Sequence, residues 1–224
     1  MKTVTFIKAA ILFDLDGVLV DSKIPVERSW REWARRHSLD VEEVIRESHG
    51  RRTIETVQMF TPQLDVEWEA AELDSHEAGD LTGLREVRGA QELIASLPAE
   101  RWAVATSGIG EVARTRLKAL QFPLPHVLIS ADMVRKGKPD PEPYLRAAEG
   151  LGFKPADCLV IEDAASGIAS ARAAGMEVVG VTTTFAPSML TGSTVIVPDL
   201  AAISVEIGQT LKVNVRVDAA ASAV

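Results

Sequence analysis

Carboxylate, hydroxyl and lysine side chains follow four short apolar runs of the chain, and their types and spacing could do chemistry. In chain order they are Asp14 and Asp16, then Thr106, Ser107 and Gly108, then Lys138, and finally Glu162 and Asp163. If the four runs are neighbouring parallel strands, their carboxyl ends meet at one edge of a sheet, where such sheets bind ligands. We therefore expect these side chains to converge on one site.

The candidate site carries four carboxyl groups, which favours a bound cation. Burying several carboxylates side by side is costly unless a cation neutralises part of their charge. All of the candidate side-chain ligands are oxygens, and Mg²⁺ binds through one or two carboxylates, water and substrate phosphate. The pattern therefore favours a hard cation such as Mg²⁺.

The elements that must position these residues alternate between buried strands and amphipathic helices. Continuous apolar runs, typical of strands buried on both faces, lie at residues 10–13, 102–105, 127–129, 158–161 and 178–181. Helical patterns lie at residues 87–97, 112–120 and 165–174, the last closed by Gly175. A further helix is expected to begin at Pro141, with Asp140 as its N-cap, and to close at Gly152. This alternation predicts an α/β fold with a Rossmann-like parallel sheet and right-handed crossovers.

Residues 22–85 have a different pattern, with helical apolar faces, few Gly or Pro residues and no buried-strand run. We interpret them as a helical insertion between the first strand and the rest of the sheet. The predicted core domain then comprises residues 1–21 and 86–218, and the insertion comprises residues 22–85. The final residues, 219–224, are expected to form a frayed tail.

Composition limits the possible partners and the compartment. The 224 residues have a formal net charge of -8, so the surface as a whole disfavours nucleic acid and anionic membranes. The single cysteine, Cys158, excludes an intramolecular disulfide and is expected to be a buried strand residue. The sequence has no run of 18 apolar residues and no signal-type cleavage site, so we expect a cytoplasmic protein.

The stretch Asp14-Leu-Asp-Gly-Val-Leu-Val-Asp-Ser resembles the signature of the haloacid dehalogenase superfamily. Thr106, Lys138 and the pair Glu162-Asp163 resemble its second, third and fourth motifs, in the right order. The resemblance covers nearly the whole chain, and residues 97–185 look most similar to small glycerol-phosphate and sugar-phosphate phosphatases. It implies that the insertion is a helical cap that closes over the site.

The resemblance also implies roles for the acidic residues. Asp14 would be the nucleophile that forms an aspartyl-phosphate, and Asp16 would protonate the leaving alcohol and then activate water. Mg²⁺ would lie between Asp14, the backbone carbonyl of Asp16 and the side chain of Asp163. Glu162 would support these ligands from behind, and whether it binds the metal directly stays open.

Substrate contacts follow from the same resemblance. Thr106 and the amides of Ser107 and Gly108 would bind phosphate oxygens, and Lys138 would balance charge on the nucleophile and the phosphoryl group. From the cap, the predicted contacts are His49, Gly50 and Arg52. Arg52 is preferred because its offset after Gly50 resembles that in the glycerol-phosphate phosphatases; the alternative is a solvated arginine at an exposed helix start.

The resulting prediction is a Mg²⁺-dependent phosphatase acting on a small phosphorylated sugar or polyol. A sugar phosphomutase is the main alternative, but the hexose-phosphate mutases carry a histidine twelve residues after the nucleophile, where this chain has Val26. A dehalogenase does not use a second aspartate at position 16, and a phosphonatase needs a cap lysine, which residues 24–85 lack. A non-enzymatic phospho-acceptor switch or a binding-only relative is less consistent with the filled motifs. Oligomeric state and the physiological ester stay open.

Overall fold

A computed structural model describes residues 2–217, so the predicted tail at residues 219–224 lies outside the described part of the chain. The strands are β1 (Lys2–Lys8), β2 (Ala10–Phe13), β3 (Val20–Asp21), β4 (Arg85–Glu86), β5 (Trp102–Ala105), β6 (Leu128–Ile129), β7 (Cys158–Glu162), β8 (Glu177–Val181), β9 (Val195–Val197), β10 (Ile203–Ile207) and β11 (Leu211–Val217). The helices are α1 (Lys23–Arg36), α2 (Val41–Ser48), α3 (Thr53–Phe60), α4 (Val66–Gly79), α5 (Ala90–Ala95), α6 (Gly110–Ala119), α7 (Glu142–Leu151) and α8 (Ala165–Ala173). Within residues 2–217, none of these helices is both long and apolar enough to cross a membrane.

The central sheet has six strands in the order β6-β5-β2-β7-β8-β9. Every neighbouring pair in this sheet is parallel. In β2, Ile11 and Phe13 join the apolar cluster on one face of the sheet, and Ala10 and Leu12 join the cluster on the other. A strand covered on both faces must be apolar throughout, which is why it is a continuous apolar run in the sequence. The predicted α/β fold with a parallel sheet is confirmed.

Several element bounds on the side of β5 differ by one to three residues from the sequence prediction, and α6 begins at Gly110 and ends at Ala119 rather than spanning residues 112–120. The helix expected over residues 87–97 is α5, which starts later because the preceding Gly89 has a left-handed backbone, with φ of +86°. The strand expected at residues 127–129 begins at Leu128, although the carbonyl of Val127 still accepts a hydrogen bond from a residue of β5. None of these shifts changes the order of the strands.

The capping predictions for α7 and α8 are met in part. Pro141, rather than Asp140, is the N-cap of α7, because the helix begins one residue later than expected. Asp140 still serves the helix start, since its Oδ1 accepts a hydrogen bond from the amide of Glu142 at 3.0 Å. Gly152 ends α7 as predicted, and α8 ends one residue before the expected 174.

A second sheet, of three antiparallel strands in the order β1-β11-β10, was not predicted. Residues alternate between buried and more exposed along β11, with Leu211, Val213, Val215 and Val217 buried. These side chains join Phe6 of β1 in the main core cluster, so the sheet covers one side of the core. One apolar face is what alternation along an antiparallel strand requires.

The insertion, residues 22–85, has its own apolar cluster in the described structure. Trp30, Trp33, Val44, Val57 and Leu73 from α1 to α4 are buried in it. At the base of the insertion, β3 pairs antiparallel with β4, which brings the two connections to the core together. The helical content agrees with the sequence pattern, and the division into separate domains stays a prediction.

Candidate active site

A cavity lies where the carboxyl ends of the central strands face the insertion. The predicted residues that line it are Asp14, Asp16, Thr106, Ser107, Gly108 and Asp163 from the core and His49 and Gly50 from the insertion. Asp14 follows β2, Thr106 follows β5 and Asp163 follows β7, so neighbouring parallel strands deliver them to one edge. Lys138 and Glu162 do not line the cavity but lie against Asp14 from behind.

Lys138 is buried between two carboxylates. Its Nζ lies 3.0 Å from Asp14 Oδ1 and 2.7 Å from Glu162 Oε1. Burial acts to lower the pKa of Lys138, but the charges of Asp14 and Glu162 together raise it above its ordinary value. The lysine is therefore charged, and it holds its ammonium group against the carboxylate at the end of β2.

Glu162 is committed to holding this lysine in place. Its Oε1 also accepts a hydrogen bond from the hydroxyl of Tyr144 at 3.0 Å. Its Oε2 accepts hydrogen bonds from the amides of Asp163 and Ala164, both at 2.8 Å. Both oxygens therefore have partners, and a position behind the metal ligands agrees with this bonding better than direct ligation does.

The donor set fits a hard divalent cation. Asp14 and Asp163 each offer a carboxylate oxygen, and these two oxygens and one of Glu162 lie within 4.8 Å of one another. Asp14 Oδ1 is buried, and Nζ of Lys138 lies 3.0 Å from it. Burial raises the pKa of Asp14 to about 7 and that of Asp163 well above its ordinary value. Such a cluster is compatible with Mg²⁺, which would offset the cost of the charged forms.

The segment after β5 lines the cavity and contacts the insertion. Thr106 is buried, and its Oγ1 accepts a hydrogen bond from the amide of Gly108 at 3.1 Å. Ser107 Oγ donates a hydrogen bond of 2.9 Å to the carbonyl of Gly50, a residue of the insertion. The segment precedes α6, whose N-terminal end favours anions.

Gly50 is the point where the insertion meets the segment after β5 and the first turn of α8. Its carbonyl accepts hydrogen bonds from Ser107 Oγ at 2.9 Å and Ser166 Oγ at 3.1 Å. Its φ is +76°, and a Cβ atom there would lie 2.8 Å from the Cβ of Ala164. Only glycine allows both the backbone conformation and this approach. His49 precedes Gly50, and its ring lies edge-on to the ring of Phe185 with 5.6 Å between the centroids. Burial lowers the pKa of His49.

The two adjacent arginines take different positions. Arg51 lines the cavity, and its guanidinium is 3.6 Å from Glu47. Arg52 does not line it, because its Nε donates to Glu55 Oε1 at 2.8 Å and its side chain packs against Gly137. The sequence-based choice of Arg52 as a substrate contact thus stays a prediction, and the geometry favours Arg51.

Sequence reasoning missed the partners of Asp16. Its Oδ1 accepts hydrogen bonds from Ser22 Oγ and from Nη1 of Arg116, each at 2.6 Å. Arg116 also bonds Glu77 of the insertion. One feature of the sequence could have indicated this contact. Arg116 lies four residues after Val112, on a helix face that is otherwise apolar, and a buried arginine needs a carboxylate partner.

Comparison with known proteins agrees with this architecture. The family model described as haloacid dehalogenase-like hydrolase matches residues 11–181. Hexitol phosphatase A of Escherichia coli is 42% identical over 175 residues, which cover 76% of this chain and 81% of that protein. Glycerol-1-phosphate phosphohydrolase 1 of Saccharomyces cerevisiae is 38% identical over 189 residues, covering 79% and 75%. The crystal structure of a hydrolase from Pseudomonas syringae is similar, with a TM-score of 0.76, 27% identity and coverage of 86% and 94%.

Proposed function

The chain belongs to the haloacid dehalogenase-like hydrolase family, and on that premise we propose that it is a Mg²⁺-dependent phosphatase of small sugar or polyol monophosphates. The observation that carries the proposal is the buried carboxylate of Asp14, whose Oδ1 is 3.0 Å from Nζ of Lys138 and which offers an oxygen within 4.8 Å of one of Asp163. Relatives named for hexitol phosphate and glycerol phosphate hydrolysis support the substrate class. A cytoplasmic location is consistent with a small phosphorylated metabolite as substrate, and it stays a prediction.

The proposed reaction has two steps. In the first, an oxygen of Asp14 attacks phosphorus, the ester P–O bond breaks, and the departing oxygen takes its electron pair and a proton from Asp16. In the second, water attacks the phosphorus of the aspartyl-phosphate and gives a proton to Asp16. The bond between phosphorus and the Asp14 oxygen then breaks, which releases inorganic phosphate and restores both side chains.

The surrounding residues would stabilise the charge that moves in these steps. Asp14 and Asp163 would hold Mg²⁺, with the backbone carbonyl of Asp16 as a further ligand, and the ion would supply positive charge to the phosphoryl oxygens. Lys138 would neutralise the carboxylate that attacks and then the phosphoryl group. Thr106 and the amides after it would hold the remaining phosphate oxygens.

Hydrolysis is favoured over phosphoryl return to a sugar. Val26, which occupies the position of the mutase histidine, lines the cavity with an apolar side chain. An apolar residue there cannot assist a second proton transfer to a bound sugar. A phospho-acceptor switch is disfavoured because a phosphodonor protein must reach the acceptor carboxylate, and Asp14 is only 4% exposed.

A phosphate-release screen tests the proposal. With Mg²⁺ present, hexitol, hexose and glycerol phosphates are expected to be hydrolysed with higher kcat/KM than nucleotides or a phosphopeptide. Exhaustive chelation should lower the rate at least about 100-fold, because a catalytic metal supplies several kcal/mol, and added Mg²⁺ should restore it. Full activity after chelation would exclude the metal role, and a preference for nucleotides would overturn the substrate class.

A pair of cap variants tests which arginine contacts the substrate. Arg51→Ala is expected to lower kcat/KM for a hexitol phosphate by about ten- to a hundredfold, the usual loss for a charged hydrogen bond. The loss on 4-nitrophenyl phosphate should be smaller, since that substrate offers no hydroxyl groups. Arg52→Ala is the matched control, and its losses in kcat/KM on the two substrates should differ less than those of Arg51→Ala. A larger selective loss in Arg52→Ala would instead support the assignment made from the sequence.

A further inference from the structure

Arg116 is a buried cation that joins the proposed acid–base residue to the insertion. It lies on α6, is 1% exposed, and carries one of the largest fully buried side chains among the described residues. Its Nη1 is 2.6 Å from Asp16 Oδ1, and its Nη2 is 2.9 Å from Glu77 Oε2. A guanidinium with no access to water is stable only when carboxylates pair with it.

The two carboxylates come from different parts of the chain. Asp16 belongs to the loop after β2, whereas Glu77 lies in the last turn of α4, a helix of the insertion. Arg116 and Glu77 both line the cavity. The pairing with Glu77 therefore exists only while α4 is packed against α6, so it depends on the insertion being docked on the core.

The hydrogen bonds to Asp16 are directed at one oxygen. Arg116 Nη1 and Ser22 Oγ both donate to Oδ1, and among residues 2–217 no donor reaches Oδ2. Two donors on one oxygen set the rotation of the carboxyl group. They leave Oδ2 as the atom that can carry a proton to or from the substrate.

We infer that Arg116 is a positioning residue that aims the carboxyl group of Asp16, and that Glu77 completes this arrangement when the insertion docks. The inference rests on the proposed function, because it requires Asp16 to act as acid and base. Without Glu77, the guanidinium of Arg116 would keep only Asp16 as an ion-pair partner among the described residues. The Arg116 side chain could then adopt other rotamers. The proton-carrying oxygen would then be misplaced, and misplacement by about 1 Å can cost about 100-fold in rate.

The test uses two substrates that differ in their need for an acid. The leaving group of a hexitol phosphate is the hexitol, which would depart as an alkoxide and therefore needs a proton, whereas the leaving group of 4-nitrophenyl phosphate is 4-nitrophenolate, which is stable without one. The parameter kcat/KM reports the steps up to release of the alcohol or phenol, so it isolates leaving-group protonation. In Glu77→Gln and Arg116→Lys we expect kcat/KM for the hexitol phosphate to fall about 10- to 100-fold, and that for the aryl phosphate to fall less than about threefold.

Controls separate this role from a structural one. Arg114→Gln changes an exposed arginine of the same helix and should leave both substrates unaffected. Asp16→Asn should show the same substrate dependence with a larger loss. Equal losses on the two substrates in Glu77→Gln, or no loss in either variant, would overturn the positioning role. If the wild-type protein itself hydrolyses neither substrate, it is the proposed function that fails, and the two failures are therefore distinguishable.

Discussion

Asp14→Asn is expected to abolish turnover while leaving the fold intact. An amide cannot form the acyl-phosphate, and removal of a catalytic nucleophile lowers kcat by about 10⁴- to 10⁶-fold. Stability should be preserved, because the amide has the same size as the carboxylate and carries no charge. Burial raises the pKa of Asp14 to about 7 even though the charge of Lys138 lowers it, so the charged carboxylate is costly at this position.

Steady-state kinetics and thermal unfolding of the purified variant check this expectation. Asp21→Asn is the matched control, since Asp21 also lines the cavity but its carboxylate accepts a hydrogen bond from the amide of Lys23 at the start of α1. That control should keep most of its activity. Turnover of Asp14→Asn near the wild-type rate would rule out the covalent mechanism. A large fall in its melting temperature would show instead that Asp14 is needed for folding.

Lys138→Met is expected to damage both stability and catalysis. The lysine lies between Asp14 and Glu162, and its loss leaves two buried carboxylates without their cation. Removing one partner of a buried ion pair typically costs about 3–5 kcal/mol of folding free energy. The rate should fall about 10²- to 10³-fold, the usual effect of removing one group that stabilises transition-state charge.

The double variant Lys138→Met/Glu162→Gln separates the two effects. Replacing Glu162 by the neutral amide removes one of the unpaired charges, while an amide oxygen can still accept the hydrogen bonds from Asp163 and Ala164. Denaturant unfolding should therefore show the double variant to be more stable than Lys138→Met alone, and its activity should stay low. If stability does not recover, the loss comes from packing of the lysine stem rather than from the charge.

The catalytic edge could be predicted from the sequence because each of its residues follows a continuous apolar run. Asp14 and Asp163 directly follow the neighbouring strands β2 and β7. Parallel strands bring their carboxyl ends together independently of the conformation of the connecting loops. The partner of Asp16 could not be predicted in this way. Arg116 and Glu77 are 39 residues apart, and their contact depends on how α4 packs on α6. No local pattern encodes that packing.

The difference between Arg51 and Arg52 shows a second limit of sequence patterns. The two residues are adjacent, and which of them faces the cavity depends on where α3 begins. The helix starts at Thr53, which makes Arg52 the N-cap residue and turns its side chain toward Glu55. Successive residues of a helix point in directions about 100° apart, so an error of one residue in the helix start changes which arginine faces the cavity. Sequence patterns do not place helix ends to within one residue.

The pairing of β1 with β11 constrains the order in which this protein can fold during translation. Thr5 on β1 bonds Asn214 on β11, a separation of 209 residues. The ribosome releases β1 early, and its partner strand emerges only after the central sheet and the insertion have been synthesised. The apolar cluster of the insertion, by contrast, needs only residues 26–73 and can form while the chain is still growing. A nascent chain that has not reached residue 211 therefore carries β1 as an unpaired strand, a template for pairing with other chains.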